Sequence, residues 1–218
     1  NNMKVGLFVW NVKYAGLDSD GNSSAVQQFL ENYLRSNSDV NILALVEAYA
    51  LKRQSDYLKN TFEHVEENLD ELTSLEESKL YHLRLFVRVG SGISATNIFT
   101  ISNGGIRAYR IKSVDGKVDF ILVLMHLTSK INRTPETQKH FVTKALSTYQ
   151  LYEKGVMSRN EDDIDTSLDA DRVVFAGDFN MAPYESMMTS PAFLNAVPTK
   201  QEALSSERQV RSYNLPVA

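Results

Sequence analysis

The sequence predicts an α/β fold in which two β-sheets pack face to face with helices outside. Three observations lead there: strand-like runs outnumber helical ones, several of those runs are apolar at every position, and no internal repeat or linker interrupts them. A strand without a polar face has to be covered on both sides, which a two-sheet sandwich flanked by helices achieves. At 218 residues the chain can form a sizeable core without staples, and residues 1–218 read as one domain.

Met3 to Val12 (M-K-V-G-L-F-V-W-N-V) is apolar on both parities and reads as a doubly covered strand. Tyr14 to Asn22, rich in Gly, Asp, Ser and Asn, reads as loop. Ser24 to Ser36 reads as a helix with Val26, Phe29, Leu30, Tyr33 and Leu34 on one stripe, and Ser24 with Gln27 forms a candidate capping box. Asn41 to Val46 is a second short apolar run, ending at Glu47. Glu63 to Lys79 is acidic, with Val65, Leu69, Leu72 and Leu75 at helical spacing, and reads as an exposed amphipathic helix or an ordered loop. Leu80 to Val89 and Asn97 to Ser102 read as strands, followed by a turn at Ser102 to Gly105. Ile106 to Ser113 and Val118 to Thr128 read as a hairpin around Asp115-Gly116.

Thr134-Pro135-Glu136 has the chemistry of a helix start. Phe141, Val142, Ala145, Leu146, Tyr149 and Tyr152 would be that helix's buried stripe, and Gly155 its end. Ser158 to Asp171 is an acidic loop lacking the glycine and twelfth-position glutamate of an EF-hand, so it reads as a solvated charge run. Arg172 to Phe179 is another doubly covered strand, and Pro183 onward reads as a turn, a short helix and a weakly patterned tail.

Hydrophobic residues make up 43% and charged residues 23%, the mix of a soluble globular protein. The absence of cysteine excludes disulfides, thiolate metal sites and cysteine nucleophiles. It fits a cytoplasmic protein, as does the lack of a visible signal peptide, although a secreted chain whose leader has been removed would look the same. No apolar run reaches the ~18 residues of a membrane span. A net charge of −4 gives no general affinity for nucleic acid, which leaves a local basic patch as the electrostatic route to such a partner. Nothing in the sequence specifies an oligomeric state.

The apolar runs share an unusual ending. The first carries Asn11 on the parity of Val5, Leu7 and Val9, and the second ends in Glu47, on the parity of Leu43 and Leu45. Another carries His126 with Phe120, Leu122 and Leu124, and the last carries Asp178 and Asn180 with Val174 and Ala176. Period-two geometry puts each polar group on the strand face of its apolar partners. A buried carboxylate or imidazole is costly unless paired or metal-bound, so four such endings predict one polar site at one edge of the sheets. Its hard oxygen donors favour Mg²⁺ or Mn²⁺ over structural zinc. Taken singly, Glu47 reads as a surface acid, Asp178 and Asn180 as turn caps, Asn11 as a turn residue and His126 as a satisfied core histidine.

Together, W-N-V (Trp10–Val12), L-V-E (Leu45–Glu47), M-H-L (Met125–Leu127) and G-D-F-N (Gly177–Asn180) resemble the endonuclease/exonuclease/phosphatase superfamily, in the order and at intervals that suit it. Arg133 and Gln138 match an R…Q pair frequent in that superfamily, and the resemblance spans roughly residues 3–185. It implies a DNase I-like sandwich of two mixed sheets between helical layers and metal-dependent cleavage of phosphoesters. It also implies Glu47 as the main Mg²⁺ ligand and Asn11 as a ligand or phosphate-orienting group. Asp178 would orient or deprotonate the attacking water, Asn180 would donate to phosphate oxygens, and His126 would steady charge on the phosphoryl group or assist the leaving group.

The superfamily pattern closes on an Asp-His pair that has no counterpart here. The histidines are His64, His82, His126 and His140, and Ser205 to Ala218 holds neither aspartate nor histidine. The expectation is therefore a C-terminally truncated domain lacking at least the last strand, weakly active or inactive itself, from a hydrolase parent. The resemblance points first to a nuclease. A phospholipid, phosphoinositide or small-nucleotide phosphoesterase, and an inactive phosphate-ligand or protein-binding module on the same scaffold, are the alternatives.

Overall fold

Two four-stranded sheets account for most of the strands in the computed structural model, which describes residues 5–12, 22–48, 55–65, 83–101, 105–127, 134, 136–137, 139–140, 143, 173–180, 196–197 and 212–213. The first sheet has the order β1 (Gly6–Asn11), β2 (Val40–Val46), β4 (Leu83–Arg88), β3 (Phe62–His64). It is mixed, because β1 and β2 are parallel while β4 runs antiparallel to β2 and β3. The second has the order β5 (Ile93–Ile101), β6 (Ile106–Ser113), β7 (Asp119–His126), β8 (Val173–Asp178). Helix α1 (Asn22–Ser36) makes the crossover from β1 to β2, and the short α2 (Asp56–Thr61) precedes β3.

The chain divides into two compact units. The first comprises residues 1–126 and 176–178, and the second residues 127–175 and 179–218. In the first unit, the facing sides of the sheets share a core of Ile42, Ala44 and Val46 from β2, Leu83, Leu85 and Val87 from β4, Tyr109 and Ile111 from β6, and Leu122 and Leu124 from β7. The opposite face of the first sheet packs Leu43, Leu45 and Phe86 against Leu30 and Leu34 of α1 and Leu58 of α2. Burial on both faces explains why β2 lacks polar alternation. Each fully buried leucine or isoleucine contributes about 1.5–3 kcal/mol to the fold. In the second unit, β9 (Ala196–Val197) and β10 (Ser212–Tyr213) form a parallel pair where the sequence predicts a turn, a short helix and a weakly patterned tail.

Polar side chains fix the ends of these elements. Arg88 donates from Nε to the Val40 carbonyl at 2.7 Å and from Nη2 to that of Leu34 at 3.3 Å, satisfying acceptors around the C-terminus of α1. On the predicted β6–β7 hairpin, Arg110 makes a two-pronged ion pair with Asp119 at 3.1 and 2.9 Å, which holds the register.

Some sequence-based expectations change. Helix α1 starts at Asn22, two residues before the predicted start at Ser24. Glu63 and His64 belong to β3, not to a helix, and residues 66–79 lie outside the described residues. Neither α2 nor β3 was expected. The available signal was Ser55 ahead of Asp56, and the Ser55 hydroxyl accepts from the Leu58 amide as an N-cap. In the Thr134–Gly155 segment, residues 136, 137, 139, 140 and 143 are helical, while the proposed buried stripe lies outside the described residues, as does the acidic loop before Asp171.

His64 is a half-buried group with a pH consequence. Its Nε2 lies 3.3 Å from Arg84 Nη1 and its ring packs against Phe86. Burial, with the Arg84 and Arg107 guanidiniums adding, pushes the imidazole from near 6.5 down to about 4. Between those values the unfolded chain binds a proton that the folded chain refuses. This contribution to stability is present above about pH 6.5 and is lost as pH falls toward 4. Thermal melts between pH 7 and 4.5 should show a steeper acid loss for the wild type than for His64→Gln. Superimposable pH profiles would contradict this assignment.

Candidate functional site

Four polar residues meet where strands of the first unit end. Asn11 closes β1, Glu47 follows β2, His126 closes β7 and Asp178 closes β8. Each lies at a strand's carboxyl end, the edge at which open α/β sheets habitually bind ligands. Three of them face inward by simple alternation. Val5, Leu7 and Val9 pack on the inter-sheet core, as do Leu122, Leu124 and Ala176, so Asn11, His126 and Asp178 emerge from that face.

Glu47 does not follow alternation. Leu43 and Leu45 face α1, so period two would send Glu47 toward the helical side as well. Its backbone adopts φ +57, a left-handed conformation rare for a non-glycine residue. With that turn its carboxylate meets Asn11 and His126 instead. The expectation that Glu47 shares the face of Leu43 and Leu45 is therefore corrected, and the physical reason is this one dihedral. Such strain costs about 1–3 kcal/mol and persists only where surrounding contacts enforce it.

Asn11 Nδ2 donates to Glu47 Oε1 at 2.9 Å and to Asp178 Oδ2 at 2.8 Å. One amide nitrogen thus ties two carboxylates together with both of its protons. His126 Nε2 lies 3.1 Å from the same Glu47 Oε1, with side-chain exposures of 16% and 14% placing the pair just below the surface. Donor atoms of Glu47, His126 and Asp178 all lie within 4.8 Å of one another, close to the span that a cation with ligand bonds of about 2.1 Å draws together. Two half-buried carboxylates and an imidazole suit a hard divalent cation, and Asn11 can reach one only through Oδ1, since Nδ2 donates.

Two glycines flank the end of β7. Gly177 has φ +132, and a Cβ there would collide with the Met125 carbonyl oxygen. Gly105 has φ +58, its own carbonyl accepts from the His126 amide at 2.7 Å, and a Cβ on it would meet the His126 carbonyl. They let neighbouring backbones close around the His126 strand. Glycine inside or beside an apolar strand was the sequence signal for such an approach.

Asn180 belongs to the second unit. The ladder of β8 ends at Asp178, Asn180 has φ +48, and its Nδ2 donates to the Leu127 carbonyl oxygen at 2.6 Å. The parity of Val174 and Ala176 therefore does not extend to it. Arg133 and Gln138 lie outside the described residues.

The bridging amide yields a direct prediction. Asn11→Asp would replace a donor to two carboxylates with a third carboxylate. The cation-free variant should lose about 2–4 kcal/mol of stability. Divalent cation should then raise its melting temperature by more than it raises that of the wild type. Equal cation-induced shifts in calorimetry would show that the three side chains do not share one ion.

No protein-family model and no curated protein sequence matches the chain. Solved structures do match. The human Nocturnin catalytic domain aligns with a TM-score of 0.54 at 17% identity, over 91% of this chain and 74% of that one. A mannosyl-6-phosphatase from Bacteroides thetaiotaomicron aligns with a TM-score of 0.54 at 12% identity, over 85% and 69%. An endonuclease/exonuclease/phosphatase family protein from the same organism aligns with a TM-score of 0.53 at 12% identity, over 84% and 66%. The chain spans 65% and 61% of the length of two D. rerio TDP2 structures that it also matches. With its two face-to-face four-stranded sheets, the chain has the DNase I-like α/β sandwich fold of the endonuclease/exonuclease/phosphatase superfamily.

Proposed function

We propose that this chain carries the site of a divalent-cation-dependent phosphoesterase, a hydrolase that cleaves phosphodiester bonds of nucleic acid by attack of water on phosphorus. The observation that carries the reading is the convergence of Glu47, His126 and Asp178 within 4.8 Å, with Asn11 bridging the two carboxylates. Phosphoryl transfer asks a protein chiefly for positioning and charge stabilisation, which this constellation supplies. A mannosyl-6-phosphatase of the same fold supports phosphoester chemistry in general.

Glu47 and Asp178, with Asn11 Oδ1, would hold Mg²⁺, for which Mn²⁺ is the natural substitute. When bound, the cation neutralises charge on the phosphoryl oxygens. The remaining work falls to side chains. Asp178 orients the water and accepts its proton as oxygen attacks phosphorus, and His126 steadies the phosphoryl charge while the bond to the leaving oxygen breaks. The left-handed backbone of Glu47 supports the same reading, since strain of this kind clusters at functional sites.

The test is hydrolysis of bis(4-nitrophenyl) phosphate, single- and double-stranded DNA, RNA, a phosphoinositide and a sugar phosphate, each with Mg²⁺, Mn²⁺ or EDTA. Slow cation-dependent product, with DNA or RNA as the best substrate, is expected from a chain without the Asp-His pair. Background rates on every substrate would overturn turnover by this chain and favour the inactive phosphate-ligand or protein-binding module on the same scaffold. A faster reaction on the lipid or sugar ester would overturn only the nuclease assignment.

A further inference from the structure

Arg107 is a guanidinium buried to 3% exposure, on a strand that otherwise buries Ile106, Ala108, Tyr109, Ile111 and, at its end, Ser113. It lies on the inner face of β6, at the parity of Tyr109 and Ile111, both of which belong to the inter-sheet core. On the β6–β7 ladder its partner is Leu124, two residues before His126. Across the sandwich its Nη1 donates to the backbone carbonyl of Leu83. Leu83 in turn pairs with Val46, the residue before Glu47. One side chain therefore links the strand position beneath His126 in one sheet to the position beside Glu47 in the other.

We propose that Arg107 is a positioning residue for the cation site. Its hydrogen bond to the Leu83 carbonyl sets the separation of the two sheets one layer below Glu47 and His126. The proposal rests on the cation-site reading above. A structural reason alone accounts poorly for a full charge here, because a buried guanidinium is costly and an apolar residue would fill the same layer at lower cost. Arginine suits the task because its rigid planar donors fix geometry. Partners just outside a metal's own ligands typically change affinity by about 10–100-fold when lost.

The experiment compares wild type, Arg107→Met and Arg107→Lys by two readouts that need no turnover. Histidine-¹⁵N spectra in EDTA report the His126 ring, assigned by its loss in His126→Gln, and Mn²⁺ titration reports affinity. In Arg107→Met the His126 ring resonances should move and the Mn²⁺ dissociation constant should rise about tenfold or more. Arg107→Lys should recover part of both, and it carries the test alone if the methionine variant does not fold. If the folded variants keep wild-type His126 resonances and Mn²⁺ affinity while only their melting temperatures fall, Arg107 is structural and the proposal is overturned. If the wild type binds no Mn²⁺, the cation-site reading fails, and the EDTA spectra separately decide whether Arg107 positions His126.

Discussion

Under the proposed phosphoesterase function, Glu47→Gln is expected to lower cation-dependent phosphodiester hydrolysis by about 10²–10³-fold while leaving the fold intact. Glutamine has the same shape, and its oxygen can still accept from Asn11 Nδ2 and contact His126 Nε2, the two contacts that Glu47 Oε1 makes now. What the substitution removes is the negative charge. A neutral amide is a weaker partner for a hard divalent cation, so Mn²⁺ affinity should fall together with the rate. Melting temperature in EDTA should hold or rise, because one of two carboxylates sharing an amide has been neutralised. Initial rates with Mg²⁺ and a Mn²⁺ titration check both claims. A variant retaining hydrolysis within about threefold of the wild type would remove Glu47 from the reaction.

The second large effect is structural. Gly177→Ala should destabilise the chain by about 2–4 kcal/mol, a fall of roughly 5–15 °C in melting temperature for a domain of this size. Two causes add. At φ +132 a side chain is strained whatever space is available, and here its Cβ would meet the Met125 carbonyl, backbone on a fully buried stretch of β7. Relief requires the end of β8 to move away from β7, carrying the next residue, Asp178, out of reach of Asn11. Cation affinity should therefore fall even in molecules that remain folded. A melting temperature within about 2 °C of the wild type, with unchanged Mn²⁺ binding, would contradict the close approach.

Much of this arrangement is legible in the sequence, for reasons that also explain what was not. The β6–β7 hairpin declares itself through Asp115-Gly116, and β1, β2 and β8 through apolar runs too short for helices. Alternation alone places Asn11, His126 and Asp178 toward the core because regular strand geometry persists to their positions. It misplaces Glu47 because a single left-handed residue reverses the count, and glutamate carries no sequence mark of that conformation. Asn180 escapes the count for the same reason, two residues beyond the end of β8. The three residues of β3 are too few to show any period, and Arg107 on a strand reads as an ordinary polar position until its burial is seen.

The bridging amide of Asn11 also divides the site in time. Its two carboxylate partners lie 36 and 167 residues away along the chain. A ribosome adding about 5–20 residues each second delivers Asp178 roughly 7–26 s after Glu47, since 178 − 47 leaves 131 residues to be made. Until then the nascent chain carries only one of the two acids that Asn11 joins. Synthesis itself therefore staggers the pair, and the second carboxylate arrives with the last strand of the second sheet.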